Sequence, residues 1–134
     1  MKKFVAGEHI FVDMYGAEYD YEMMMDVLIV ACERAGAQII RTDAHIFEER
    51  SDGDAFTAYI LLSESHCSVH TWPEHSYVGI DFFFCGDAKA DEAIQHVTDN
   101  IPHEIIQVKK HLRGAIDEST DRELQERRLE STTH

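Results

Sequence analysis

The tightest constraint on the fold is the run Tyr77–Cys85, in which Val78, Ile80, Phe82 and Phe84 alternate with Tyr77, Gly79, Asp81, Phe83 and Cys85. A period of two puts the first set on one face of a strand and the second on the other. Both sets carry large apolar groups, so such a strand belongs in a sheet whose two faces are both covered. Residues 9–15 alternate in the same way, with Ile10, Val12 and Met14 against Phe11, Asp13 and Tyr15. Residues 38–47 read as a second strand, and residues 55–62 as a third with Phe56, Ala58, Ile60 and Leu62 on one face. Between the first two, Asp20 can cap a helix running to about Ala35, with Met24, Val27, Leu28 and Ala31 on one stripe and Gly36 as its stop. The Met23-Met24-Met25 run reads as core packing rather than a metal or thioether site. Ala90, Ala93, Ile94, Val97 and Ile101 mark a second helix stopped by Pro102, and residues 104–109 a last strand. This order predicts an α+β fold, an antiparallel-rich sheet with two helices on one face. The uncovered face predicts a second copy, the two sheets meeting in an αββα sandwich.

A chain of 134 residues is one domain with room for a real core. Its formal net charge of −14 argues against a nucleic-acid partner, because phosphates are bound by clustered Lys and Arg. The first eight residues lack the apolar centre of a signal peptide, and no window is long and apolar enough for a bilayer. Cys32, Cys67 and Cys85 are odd in number and follow no framework spacing, which predicts reduced thiols in a cytoplasm. Residues 115–134 are charged, with Ile116, Leu124 and Leu129 alone to bury, and predict a frayed helix or disorder.

One stretch, which continues the third strand after a break near Ser65, does not read as ordinary strand chemistry. Ser63-Glu64-Ser65-His66-Cys67-Ser68-Val69-His70-Thr71-Trp72-Pro73-Glu74 sets hydroxyls, a thiol, two histidines and two carboxylates between apolar strands. The residues alone leave several readings open. They could simply fill space in a binding domain. A metal site from His66, His70, His75, Cys67 and Cys85 is disfavoured, since His66 and His70 lie about 13 Å apart along an extended strand. A cysteine nucleophile, Cys67 or Cys85 activated by His70, has no local signature to support it.

Taken together, Glu-Ser-His-x-Ser-x-His-Thr-Trp-Pro-Glu followed by Cys85-Gly86 resembles the self-processing site of prokaryotic S-adenosylmethionine decarboxylase proenzymes. The resemblance extends to Gly7-Glu8-His9, Asp13-x-Tyr15-Gly16, Ala35-Gly36-Ala37, His45-x-Phe47 and Arg113-Gly114, covering about the first 114 residues. It implies that Ser65 attacks the Glu64 carbonyl and that the resulting ester eliminates to dehydroalanine, which hydrolyses to a pyruvoyl group. Residues 1–64 would form the β chain and residues 65–134 the α chain, with 115–134 a flexible tail. His70 matches the family's processing histidine, and Thr57 falls where the family has an assisting serine. The pyruvoyl carbonyl would form a Schiff base with the substrate amine, with no pyridoxal phosphate and no metal implied. Cys85 matches the proton donor of the decarboxylation, Glu74 the acid that binds the ribose hydroxyls, and Phe47 an aromatic near the adenine. The implied substrate is S-adenosylmethionine, in the service of spermidine synthesis, and the implied assembly is a homodimer of αβ protomers.

Three departures qualify the match. The segment 48–58 is several residues longer and more acidic than the family's Pro-x-Gly-Val-Ser-Gly, Ala17 replaces a common cysteine, and Ala44 replaces a common phenylalanine. An acidic loop would suit a basic substrate, which keeps ornithine or arginine open as alternatives. Retention of Glu74 favours a nucleoside, because only a nucleoside offers it a diol. A regulatory homologue that never cleaves is a third reading, opposed by the presence of Ser65, His70 and Cys85 together.

Overall fold

A computed structural model describes residues 2–132. The chain runs β1 (Lys2–Phe4), β2 (Gly7–Tyr15), α1 (Tyr21–Arg34), β3 (Ile39–Glu48), β4 (Ala55–Leu62), β5 (His66–Trp72), β6 (Tyr77–Cys85), α2 (Ala90–Asn100), β7 (Ile105–Arg113), β8 (Ile116–Asp117) and α3 (Glu118–Thr132). Six strands form one antiparallel sheet in the order β3-β4-β5-β6-β2-β7. Helices α1 and α2 lie against each other on one face of it, the α+β arrangement that the alternation predicts. Beneath them Phe56, Phe82, Phe84, Ile10, Met14 and Ile80 are fully buried, each from the helix-facing set of its strand.

Local chemistry accounts for the helix ends. The Asp20 carboxylate accepts the Met23 N–H at 2.8 Å, and Gly36 takes the left-handed φ of +88° that closes α1. Met24 and Met25 are buried in the core, and Met23 packs against it.

The sequence reading and the structure differ at three places. Beyond β4 the strand does not resume in the same direction. Residues 63–65 reverse the chain, and β5 returns antiparallel to β4 with Leu61 opposite His66. The reason is local, since the Leu62 N–H donates to the Ser65 carbonyl at 3.0 Å and closes a hairpin. The last strand runs on to Arg113 because β2 offers it partners as far as Gly7. The short pair β1–β8 was not anticipated, being too brief to show a period. Within the tail, α3 is polar all round, with Leu129 66% exposed and Arg127 paired to Glu123 at 2.7 Å. Residues 133 and 134 of the tail lie outside the described residues, as does Met1.

Thr71 is the single buried polar side chain among the described residues, and it ties the 48–54 loop to the sheet. Its hydroxyl donates to the Asp54 carbonyl at 2.7 Å and accepts the Phe56 N–H at 2.9 Å. Thr71→Val keeps the shape but leaves both backbone groups unpaired. Thermal unfolding is expected to register a loss of about 1–3 kcal/mol; an unchanged melting temperature would mean that water replaces the hydroxyl.

Candidate active site

Two cavities divide the chemistry-bearing residues. The first, about 470 Å³, lies at the tip of the β4–β5 hairpin. Ser63, Glu64 and Ser65 line it together with Cys85 from the end of β6, the α1 C-terminus (Arg34 to Ala37) and Lys89. The hairpin places the Glu64–Ser65 peptide here, and the register of β6 brings the half-buried thiol of Cys85 to the same space. A hydroxyl, a peptide carbonyl and a thiol thus share one concave site.

The second cavity, about 480 Å³, lies at the other end of β5 on the face away from the helices. Phe47, Glu48, Arg50, Thr57, His70, Trp72 and Glu74 line it. Thr57 and His70 sit opposite each other across the β4–β5 ladder, with Thr57 Oγ1 at 3.0 Å from His70 Nδ1. That contact fixes the imidazole from its Nδ1 side and leaves Nε2 for proton exchange. Glu74 stands in the 3₁₀ turn Pro73–His75, which Pro73 starts and the left-handed Ser76 ends.

The seven residues singled out in the sequence therefore fall into two groups. Glu64, Ser65 and Cys85 meet in one cavity; Phe47, Thr57, His70 and Glu74 meet in the other. Five residues of extended strand separate Ser65 from His70, about 16 Å at the usual rise. A base must come within about 3 Å of the proton it moves, directly or through one water, so the two side chains of one chain stand too far apart for direct proton transfer between them.

The competing readings of the motif fare poorly on placement. Cys67 points into the core beside Cys32, and burial pushes its thiol up, which is the environment of an inert cysteine. His66 faces the opposite side of the sheet from Cys67, against Phe83, and His75 is exposed in the turn. Among the described residues no group of three or more His, Cys, Asp or Glu is placed to hold a metal ion. No helix among them is long and apolar enough to cross a membrane.

The open sheet face is aromatic. Phe11, Tyr15, Tyr59 and Trp72 are each about two-fifths exposed on it. His9 stacks on Phe11 at 4.3 Å between centroids, yet its Nε2 is buried without a hydrogen-bond partner. Burial lowers the His9 pKa ahead of the influence of its charged neighbours. Burial, and next the bond to Asp13, raise that of Tyr77 on the same face.

Sequence reasoning overlooked Arg50 and Trp72 in the second cavity. Trp72 was quoted only as part of the motif. Arg50 had a signal of its own, being the lone cation in the acidic run from Glu48 to Asp54. Its guanidinium makes a bidentate pair with Asp52, both contacts 2.8 Å, and lies 3.9 Å from Glu48.

The family model described as S-adenosylmethionine decarboxylase matches residues 8–114. A protein of Clostridium botulinum (strain Loch Maree / Type A3) named S-adenosylmethionine decarboxylase proenzyme is 31% identical over 117 residues, covering 84% of this chain and 97% of its own. One of the same name from Aquifex aeolicus (strain VF5) is 31% identical over 118 residues, covering 86% of both chains. The crystal structure of the adenosylmethionine decarboxylase from that organism superposes with a TM-score of 0.72 at 28% identity, covering 85% of this chain and 95% of the other.

Proposed function

The chain belongs to the S-adenosylmethionine decarboxylase family, and on that premise we propose that it cuts itself between Glu64 and Ser65 and works through a pyruvoyl group made from Ser65. It decarboxylates S-adenosylmethionine, yielding carbon dioxide and an aminopropyl donor of the kind spermidine synthesis consumes. Residues 1–114 form the decarboxylase domain on this reading, and 115–134 an appended tail. The observation that carries it is the joint placement of the Glu64–Ser65 peptide and the Cys85 thiol in one cavity.

Cleavage and pyruvoyl formation need the protein's own groups and one water. Ser65 Oγ bonds to the Glu64 carbonyl carbon while the C–N bond breaks, and His70 Nε2 takes the hydroxyl proton and returns one to the freed nitrogen. Thr57, bonded to Nδ1, holds the ring for that task. A base then removes the Ser65 Cα proton as the Glu64 carboxylate leaves, and water hydrolyses the imine tautomer of the dehydroalanine, leaving the pyruvoyl carbonyl and releasing ammonia. Once formed, the pyruvoyl supplies a carbonyl that accepts the electrons left behind by carbon dioxide. Cys85 holds the proton that replaces the carboxylate. Glu74 accepts the hydrogen bonds of the ribose diol, and Phe47 offers its ring to the adenine.

Because His70 and Ser65 stand apart in one chain, the working site takes Ser65 and Cys85 from one copy and Thr57, His70, Glu74 and Phe47 from another. Meeting of the open sheet faces in a homodimer of αβ protomers supplies that geometry and covers the aromatic patch.

The acidic loop does not favour ornithine or arginine. Of its acids, Asp52 is paired with Arg50, Asp54 accepts the Tyr21 N–H at 2.9 Å, and Glu48, which lines the cavity, lies 3.9 Å from the same Arg50. Intact-mass measurement should find two fragments meeting at Glu64/Ser65, with a pyruvoyl at the start of the second. Carbon dioxide should be released from S-adenosylmethionine and not from ornithine or arginine. Activity on arginine alone would replace the substrate, and one uncut, inactive chain would leave the regulatory homologue.

A further inference from the structure

The loop 48–54, where this chain departs from its family's pattern, brings a guanidinium into the cavity that holds His70 and Glu74. We propose that Arg50 is a further substrate-binding residue, whose flat face stacks on the purine of the nucleoside and fixes it beside Phe47 and Trp72. This rests on the nucleoside reading of that cavity and deepens it.

Three observations carry the assignment. First, Arg50 lines the cavity with two aromatic side chains, Phe47 and Trp72, and its own side chain is only 32% exposed. The space, about 480 Å³, is of the size that takes a nucleoside. Second, the N–H edge of the guanidinium is already engaged. Nε and Nη2 donate to the two carboxylate oxygens of Asp52, and Nη1 is turned toward Glu48. What the group has left to offer a ligand is its planar face, which stacks on aromatic rings. Third, the loop is built to hold that plane in place. Asp54 Oδ2 accepts the Tyr21 N–H, the Asp54 carbonyl accepts the Thr71 hydroxyl at 2.7 Å, and the Gly53 N–H donates back to the Arg50 carbonyl at 3.3 Å. The loop is thus pinned at Asp54 to the start of α1 and to β5, and the Arg50 N–H donates to the other Asp54 carboxylate oxygen at 3.4 Å. Asp52 and Glu48 keep side-chain exposures of 46% and 62%, yet both are turned to this one cation. The same clamp keeps the guanidinium from acting as a carboxylate receptor, since its bidentate fork is occupied.

The test uses full-length protein carrying Ser65→Ala, so that binding is read without cleavage or turnover. Calorimetric titration with 5′-methylthioadenosine compares this protein with versions that add Arg50→Gln or Arg50→Lys. Both additions are expected to weaken binding about five-fold, because neither glutamine nor a point-charge ammonium reproduces the planar cation. Equal affinity for all three overturns the proposal, and so does a lysine version that binds as tightly as arginine. On cleaved protein with Ser65 intact, Arg50→Gln should raise KM for S-adenosylmethionine about five-fold with kcat within about two-fold of the parent. An unmoved KM overturns it even if the uncleaved protein takes no nucleoside. Should the parent release no carbon dioxide from S-adenosylmethionine, the functional reading fails instead, a result distinguishable from failure of Arg50 alone.

Discussion

Ser65→Ala and His70→Ala proteins should each be uncut and inactive alone, yet co-expressed they should recover about a quarter of the wild-type sites. The expectation follows from the placement of the two residues at opposite ends of β5, with Ser65 in the hairpin cavity and His70 in the Thr57 cavity. A mixed dimer joins the intact Ser65 of the His70→Ala chain to the intact His70 of the Ser65→Ala chain, while its other site lacks both. Random pairing makes about half the dimers mixed, and one of two sites in each is whole. Mass spectrometry should find about half of the His70→Ala chain cut and the Ser65→Ala chain whole, with decarboxylation returning in proportion. If each His70 served its own Ser65, neither chain would be cut in the mixture, and the shared site would be wrong.

The sheet was legible because its strands alternate strictly. Val78 to Phe84 and Phe56 to Leu62 each announce a buried face, and Asp20 and Gly36 announce the ends of α1. The candidate site residues were legible through their resemblance to a family motif, and the alternation placed Phe47, Thr57 and Cys85 on strands. Their division between two cavities was not legible. Spacing along β5 separates Ser65 from His70 in any extended reading, but only the hairpin at 63–65 brings Cys85 to Ser65 across the sheet. The role of the 48–54 loop was hidden for a related reason. Composition counts its four acids, whereas the structure engages two of them, Asp52 with Arg50 at the surface and Asp54 with a part-buried backbone N–H. The β1–β8 pair was hidden because strands of three and two residues carry no period to read.

Gly7→Ala should lower decarboxylation about a hundred-fold while leaving the two processing fragments visible. Gly7 lies between Cys85 on β6 and Arg113 on β7. A Cβ built there would overlap the Phe84 carbonyl oxygen and come within 2.7 Å of Phe83 Cε1. The first obstacle is backbone, which cannot swing aside as the end of a long side chain can. The end of β6 must shift, and the residue next along that strand is Cys85. A proton donor displaced by about 1 Å can cost two orders of magnitude in rate, because the transfer depends on contact geometry. Cleavage happens once per chain and has hours to reach completion, so it tolerates a slowing that repeated turnover does not. Overpacking of this kind also destabilises by about 1–3 kcal/mol, which thermal unfolding of the variant would register. Full decarboxylation with an unchanged melting temperature would mean that β6 absorbs the methyl without moving the thiol, and the expected coupling of Gly7 to Cys85 would be wrong.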